Sequence, residues 1–135
     1  MTTEKPSGKG DLRPGALGEP QVDRSFQPFV LLSPSEHSAS WTLLLADTHS
    51  PAAIFEEQGH TGSGYSWDSV ARQALRDLSE HAESIEFDSE AGTFVAMSVE
   101  KAALVALGGA LKRLLEDPDA LRKVIRSVPE DDWDD

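Results

Sequence analysis

Apolar residues enter this chain in short unbroken runs and leave it at helical spacing, and the change of period falls in one glycine-rich corner. Phe29-Val30-Leu31-Leu32 is stopped by Ser33-Pro34-Ser35, and the run from Trp41 to Ala46 is stopped by Asp47-Thr48-His49-Ser50-Pro51. Such runs between turn formers predict short buried strands paired as a hairpin. Ala52 to Glu57 predicts a weaker third strand, which leads into Gly59-His60-Thr61-Gly62-Ser63-Gly64. Beyond that corner Trp67, Val70, Ala71, Ala74, Leu75 and Leu78 fall on one helical stripe, with Ser66 as the expected N-cap and Asp68 in the first turn.

The second half repeats the alternation. Ile85 and Phe87, then a turn through Gly92, then Phe94 and Ala96 predict a hairpin. Ser98 is placed to cap a long helix to about Glu116, with Ala103, Leu104, Leu107, Leu111, Leu114 and Leu115 on its buried stripe. Gly108-Gly109 inside it predicts close packing or a bend, because glycine is otherwise unfavourable in a helix. Asp117-Pro118-Asp119 reads as cap, fixed φ and an acid at the positive helix end, opening a last helix to about Val128. The expected order is β-β-β-α-β-β-α-α. Clustered strands and helices predict an α+β fold, an antiparallel sheet of about five strands with three helices on one face.

Charge then divides the chain. The 135 residues suit one domain, and 12 basic against 24 acidic residues give a formal charge of −12. Residues 1–25 are electrically neutral, rich in proline and glycine and poor in large apolar side chains, so they read as a disordered leader. Residues 26–128 form the expected folded domain. Residues 129–135 form an acidic tail whose self-repulsion predicts an extended chain, with Trp133 expected to fray or dock on its own domain in preference to anchoring in a partner's pocket. Net negative charge opposes nucleic acid and anionic lipid and favours a basic partner. No cysteine is present, which removes disulfides and thiol nucleophiles. No apolar run has the length of a membrane span, and the N-terminus has no apolar export segment, so a soluble cytoplasmic protein is expected.

Candidate chemistry is sparse. Gly59-x-x-Gly62-x-Gly64 lacks the Lys-Ser/Thr of a phosphate loop and follows Glu56 and Glu57, which would repel phosphate. His37, His49, His60 and His81 show no tight ligand spacing, so no metal and no cofactor are expected. No Gly-x-Ser-x-Gly elbow occurs, and Glu56 and Glu57 on a strand would point to opposite faces. These features favour a binding protein over an enzyme. The competing reading is a small-molecule-binding or hydrolytic pocket in which Glu56, Glu57 and His60 line a site beside the glycine loop.

The run Phe55-Glu56-Glu57-x-Gly59-His60-x-Gly62-x-Gly64-Tyr65-x-Trp67-x-Ser69-Val70-Ala71, followed by Phe87-Asp88-x-Glu90-Ala91-Gly92-x-Phe94-Val95-Ala96, resembles the bacterial immunity proteins called immunity protein fifty-one. The likeness spans roughly Phe26 to Arg126. It implies a cytoplasmic antidote that binds the catalytic domain of a polymorphic toxin in a stoichiometric complex. It carries no catalytic residues with it. The corner supplies the expected contact set: Glu56 and Glu57 for basic side chains, Tyr65 and Trp67 as aromatic anchors, with His60 and Asp68 beside them. Gly59, Gly62 and Gly64 are expected to let the corner bend. Trp67 also shares the helical stripe of Val70 and Leu78, which makes a core role the competing assignment.

Overall fold

A computed structural model describes residues 19–36, 38–78 and 83–134 of the chain. Strands β1 (Val22–Asp23), β2 (Val30–Leu32), β3 (Trp41–Leu45), β4 (Glu86–Phe87) and β5 (Phe94–Ser98) form one antiparallel sheet in the order β1-β2-β3-β5-β4. Helices α1 (His49–Glu56), α2 (Gly64–Leu75), α3 (Lys101–Glu116) and α4 (Pro118–Ser127) complete the α+β fold, with single 3-10 turns at Arg76–Leu78 and Glu130–Asp132. The class is the expected one, with one helix more than expected.

That extra helix is a correction. Ala52 to Glu57 is not a strand; all but Glu57 lies in α1, and Glu57 caps its end. Pro51 looks like a terminator in the sequence but occupies the first turn of α1, where its missing N–H is not needed. Asp47 starts the turn by accepting hydrogen bonds from the His49 amide (2.9 Å) and the Ser50 hydroxyl (3.1 Å). Pro51 and Phe55, four residues apart, are then the buried face. The sheet still has five strands because Val22 and Asp23 pair with Leu32 and Leu31 at its edge. These two residues fall within the segment whose composition reads as a leader, and a two-residue strand leaves no periodic trace. Residues 1–18 of that leader lie outside the described residues, as do His37 and His81.

Side chains alternate across a strand, so register sorts the sheet into two faces. On the inner face Leu31, Leu43 and Ala96 stand in one row and Leu45 beside Phe94 in the next. All five are at most 1% exposed. Phe29, Phe55, Trp67, Leu104, Leu107 and Leu121 close the same core. Gly108 is the point of closest approach of α3: a Cβ there would stand 3.2 Å from Phe26 and 3.3 Å from Leu43. The expected close packing is therefore real, and the helix runs through the glycine pair unbroken.

Helix starts differ in detail from the expected ones. Asp117 caps α4 by accepting from the Ala120 amide (3.2 Å), with Pro118 at the first position, as expected. Lys101, not a residue next to Ser98, opens α3, and Ser98 Oγ instead accepts from the Glu100 amide (3.0 Å) in the turn before it.

Candidate functional site

The glycine corner is built from the backbone outward. Gly59 (φ 85°) and Gly62 (φ 77°) both take the left-handed conformation that side chains disfavour. They turn the chain from the end of α1 into α2. Gly64 is needed for a different reason: a Cβ there would meet the Glu90 carbonyl oxygen at 2.1 Å and the Thr93 carbonyl oxygen at 2.3 Å, against the β4–β5 turn. Its amide donates to the Ala91 carbonyl (3.0 Å). Ser63, not Ser66, caps α2, accepting from the Ser66 amide (3.3 Å). The Ser66 hydroxyl is fully buried and accepts from the Gly62 amide (3.0 Å), which ties the corner together from inside.

This geometry divides the expected contact residues. Trp67 is 0% exposed, edge-on to Phe29 (5.6 Å between centroids) and Phe55 (5.1 Å), so it is core and cannot anchor a partner. Its indole N–H has no hydrogen-bond acceptor among the described residues. Asp68 is also buried, at 5% exposure, and accepts from the Ser89 hydroxyl (2.6 Å). Burial pushes its carboxyl up to about 6, outweighing the opposing effects of the Ser89 hydrogen bond and Arg72. Asp68 and Trp67 therefore leave the contact set, because α2 turns both toward the body of the protein.

The rest of the corner faces outward with unequal freedom. Glu57 receives two hydrogen bonds from Arg122, from Nε (2.9 Å) and Nη2 (3.2 Å), and the guanidinium holds its carboxyl below the usual range. Asp119 takes a third bond from the same guanidinium (2.8 Å), so α1 and α4 are clamped together by Glu57-Arg122-Asp119. Glu56 is exposed and has no ion pair with a described residue. Tyr65 is 40% exposed beside the β4–β5 turn.

His60 is covered by the chain's own C-terminus. The Trp133 indole stacks on its imidazole with centroids 3.5 Å apart and planes at 15°, and stands edge-on to Phe55 at 6.4 Å. The tail is not extended up to residue 134: Glu130–Asp132 forms a 3-10 turn, Asp132 pairs with Arg76 (2.5 Å) and Asp134 with Arg72. The Asp134 amide donates to Ser69 Oγ (3.0 Å). Arg72 on α2 and Arg76 in the 3-10 turn that follows it, four residues apart, counter the self-repulsion that favours extension. Docking on its own domain, one of the outcomes expected for Trp133, is the one found. Glu56, Glu57 and His60 thus answer to different neighbours, and among the described residues no group of three potential ligands could hold a metal.

A second surface escaped the sequence reading. On the outer face of the sheet Val30, Leu44 and Val95 form one row, and Leu32, Thr42 and Met97 the next. All are half-buried, and none belongs to the core or packs against it. An antiparallel sheet with one solvated face ordinarily alternates apolar with polar. The signal was present in the unbroken apolar runs of β2 and β3, which predict strands buried on both sides.

The chain is an α+β body whose sheet carries half-buried apolar rows on the side away from its helices. A family model for Immunity protein 51 matches residues 29–129, and the chain belongs to that family. Neither the curated proteins nor the solved structures gave a match. No helix among the described residues is long and apolar enough to cross a membrane.

Proposed function

We infer that this chain is a non-enzymatic antidote: it binds the catalytic domain of a cognate polymorphic toxin in a stoichiometric complex in the cytoplasm of the producing bacterium. The observation that carries this reading is the extent of the family match, residues 29–129, which runs from the residue before β2 through α4 and so takes in nearly the whole folded body. The excess of 24 acidic over 12 basic residues supports a basic partner, since charge complementarity speeds encounter and disfavours wrong partners. In the corner, Glu56 and Tyr65 are the members free to meet such a partner. Glu57 and His60 can do so only by exchanging Arg122 or Trp133 for it.

The competing pocket reading gains no support from the geometry, because Glu57 and His60 face Arg122 and Trp133 instead of each other. Co-expression with the toxin domain encoded beside this chain tests the proposal. Rescue of growth, together with a one-to-one complex on a sizing column, is the expected result. Killing that proceeds unchanged refutes it. Charge reversal at Glu56 and Glu57 then reports whether the corner lies in the contact.

A further inference from the structure

The outer face of the sheet is apolar over most of its width. Val22 stands opposite Leu32 at the β1 edge and is 50% exposed. Val99, just past the end of β5, is 72% exposed. No described element packs on this surface, whereas on the other side of the same strands Leu31, Leu43, Leu45, Phe94 and Ala96 are buried, and an apolar face without a partner is a candidate interaction site.

The far edge of that face has a different character. Glu86 is opposite Met97 in β4, and the Asp88 amide bonds the Val95 carbonyl (3.0 Å). Glu90 bridges to Thr93. Glu86 shares the outer side of β4 with Met97 opposite, Asp88 and Glu90 follow at alternate positions in the turn to β5, and all three carboxylates are exposed with no ion pair to a described residue. β4 is also the last strand of the sheet, so its outer edge has no strand beside it. An apolar centre with an acidic rim therefore runs from β2 to the β4 edge.

Three occupants could cover it, and the residues decide between them. Residues 1–18 offer only Met1, Leu12 and Leu17 as large apolar side chains, too few to cover a face that spans four strands. A second copy would bring another body of net charge −12 against the first. A protein with an apolar strip flanked by Lys and Arg matches both parts of the surface. Size points the same way. Four strands about 4.8 Å apart and a few residues deep give an apolar patch of roughly 200 Å², against about 800 Å² per partner in a stable complex, so the contact has to take in the charged rim.

We propose that the toxin domain docks on this outer sheet face, its apolar strip on Val30, Leu44 and Val95 and its basic side chains on Glu86, Asp88 and Glu90. This rests on the antidote reading given above and centres the contact on the sheet, not on Glu56, Glu57 and His60, with Glu90 in the turn that Gly64 packs against. The test measures affinity of the purified full chain for the neighbouring toxin domain, carried as a catalytically dead variant. Leu44→Thr with Val95→Thr keeps β-favouring residues and should weaken binding at least 30-fold with an unchanged melting temperature. Glu86→Lys with Asp88→Lys should slow association about 10-fold and flatten its salt dependence. Glu56→Lys, in the corner, should stay within about 3-fold of the parent.

Parent-like affinity of both sheet pairs overturns the docking face and leaves the antidote reading intact. No binding by the parent chain overturns the antidote reading, and the docking face with it. A self-associated chain that Leu44→Thr disperses would make a second copy the occupant and equally overturns the proposal. If the threonine pair unfolds, the lysine pair on the exposed rim decides alone.

Discussion

Leu43 and Leu44 are neighbours on β3, identical in chemistry, and they meet opposite fates. Leu43 faces the helices at 0% exposure, packed against Leu31, Ala96 and the gap left by Gly108. Leu44 faces outward, half-buried between Val30 and Val95, with no element of the core across from it. The two faces of one sheet thus separate what folding needs from what folding leaves over. The apolar row with no described element packed on it is where the proposed contact is placed.

The comparison breaks first at the inner face. Leu43→Ala removes buried methyl groups from a well-packed site and should cost about 3 kcal/mol in urea unfolding. A loss under 1 kcal/mol would mean that α3 does not seal this face. Asp68 gives the next effect, through pH. Its folded-state carboxyl sits near 6 against an ordinary 3.8, so the native protein keeps a proton that the unfolded chain gives up between those values. Stability should fall as pH rises through that window and stay low above it. Asp68→Asn, which keeps the shape and can still accept from Ser89, should raise stability at pH 8 by about 2 kcal/mol and change it little at pH 4. Thermal melts across pH decide this, and an unchanged pH profile would show that the carboxyl is hydrated.

Trp133 comes third. Its stack on His60 and contact with Phe55 are made by a tail also held by Arg72 and Arg76, so Trp133→Ala should cost about 1 kcal/mol and release the tail to proteolysis. Equal cleavage of both forms would contradict the docked tail. The smallest effect belongs to the outer face: Leu44→Thr should change stability by no more than about 0.5 kcal/mol. A loss comparable to that of Leu43→Ala would mean that Leu44 belongs to the core.

The parts of this fold legible in the sequence are those where one period runs long enough to be seen. α2, α3 and α4 carry wide apolar stripes, and β2, β3 and β5 carry runs or alternation between turn formers. The failures are physical too. α1 is short, has Pro51 in its first turn and buries only Pro51 and Phe55, so its opening reads as a turn and Ala52 to Glu57 as a strand. β1 is two residues held by backbone bonds alone. The corner shows both outcomes at single positions: Gly59 and Gly62 bend the chain as their spacing suggests, while α2, which begins three residues earlier than a Ser66 cap implies, turns Trp67 and Asp68 inward. The pairing of Glu57 with Arg122, 65 positions away, depends on how α1 meets α4 and has no local signature. The outer sheet face was encoded plainly, in runs without alternation, but which side the helices would cover is a tertiary outcome.

Titration calorimetry of the full chain with the inactivated neighbouring toxin domain, repeated at several temperatures, tests the central claim most directly. Capping of the apolar sheet face by a basic partner predicts one-to-one binding with a clearly negative heat-capacity change, which the Leu44→Thr, Val95→Thr pair should sharply reduce. Absence of binding, or tight binding with a heat-capacity change near zero, would contradict it.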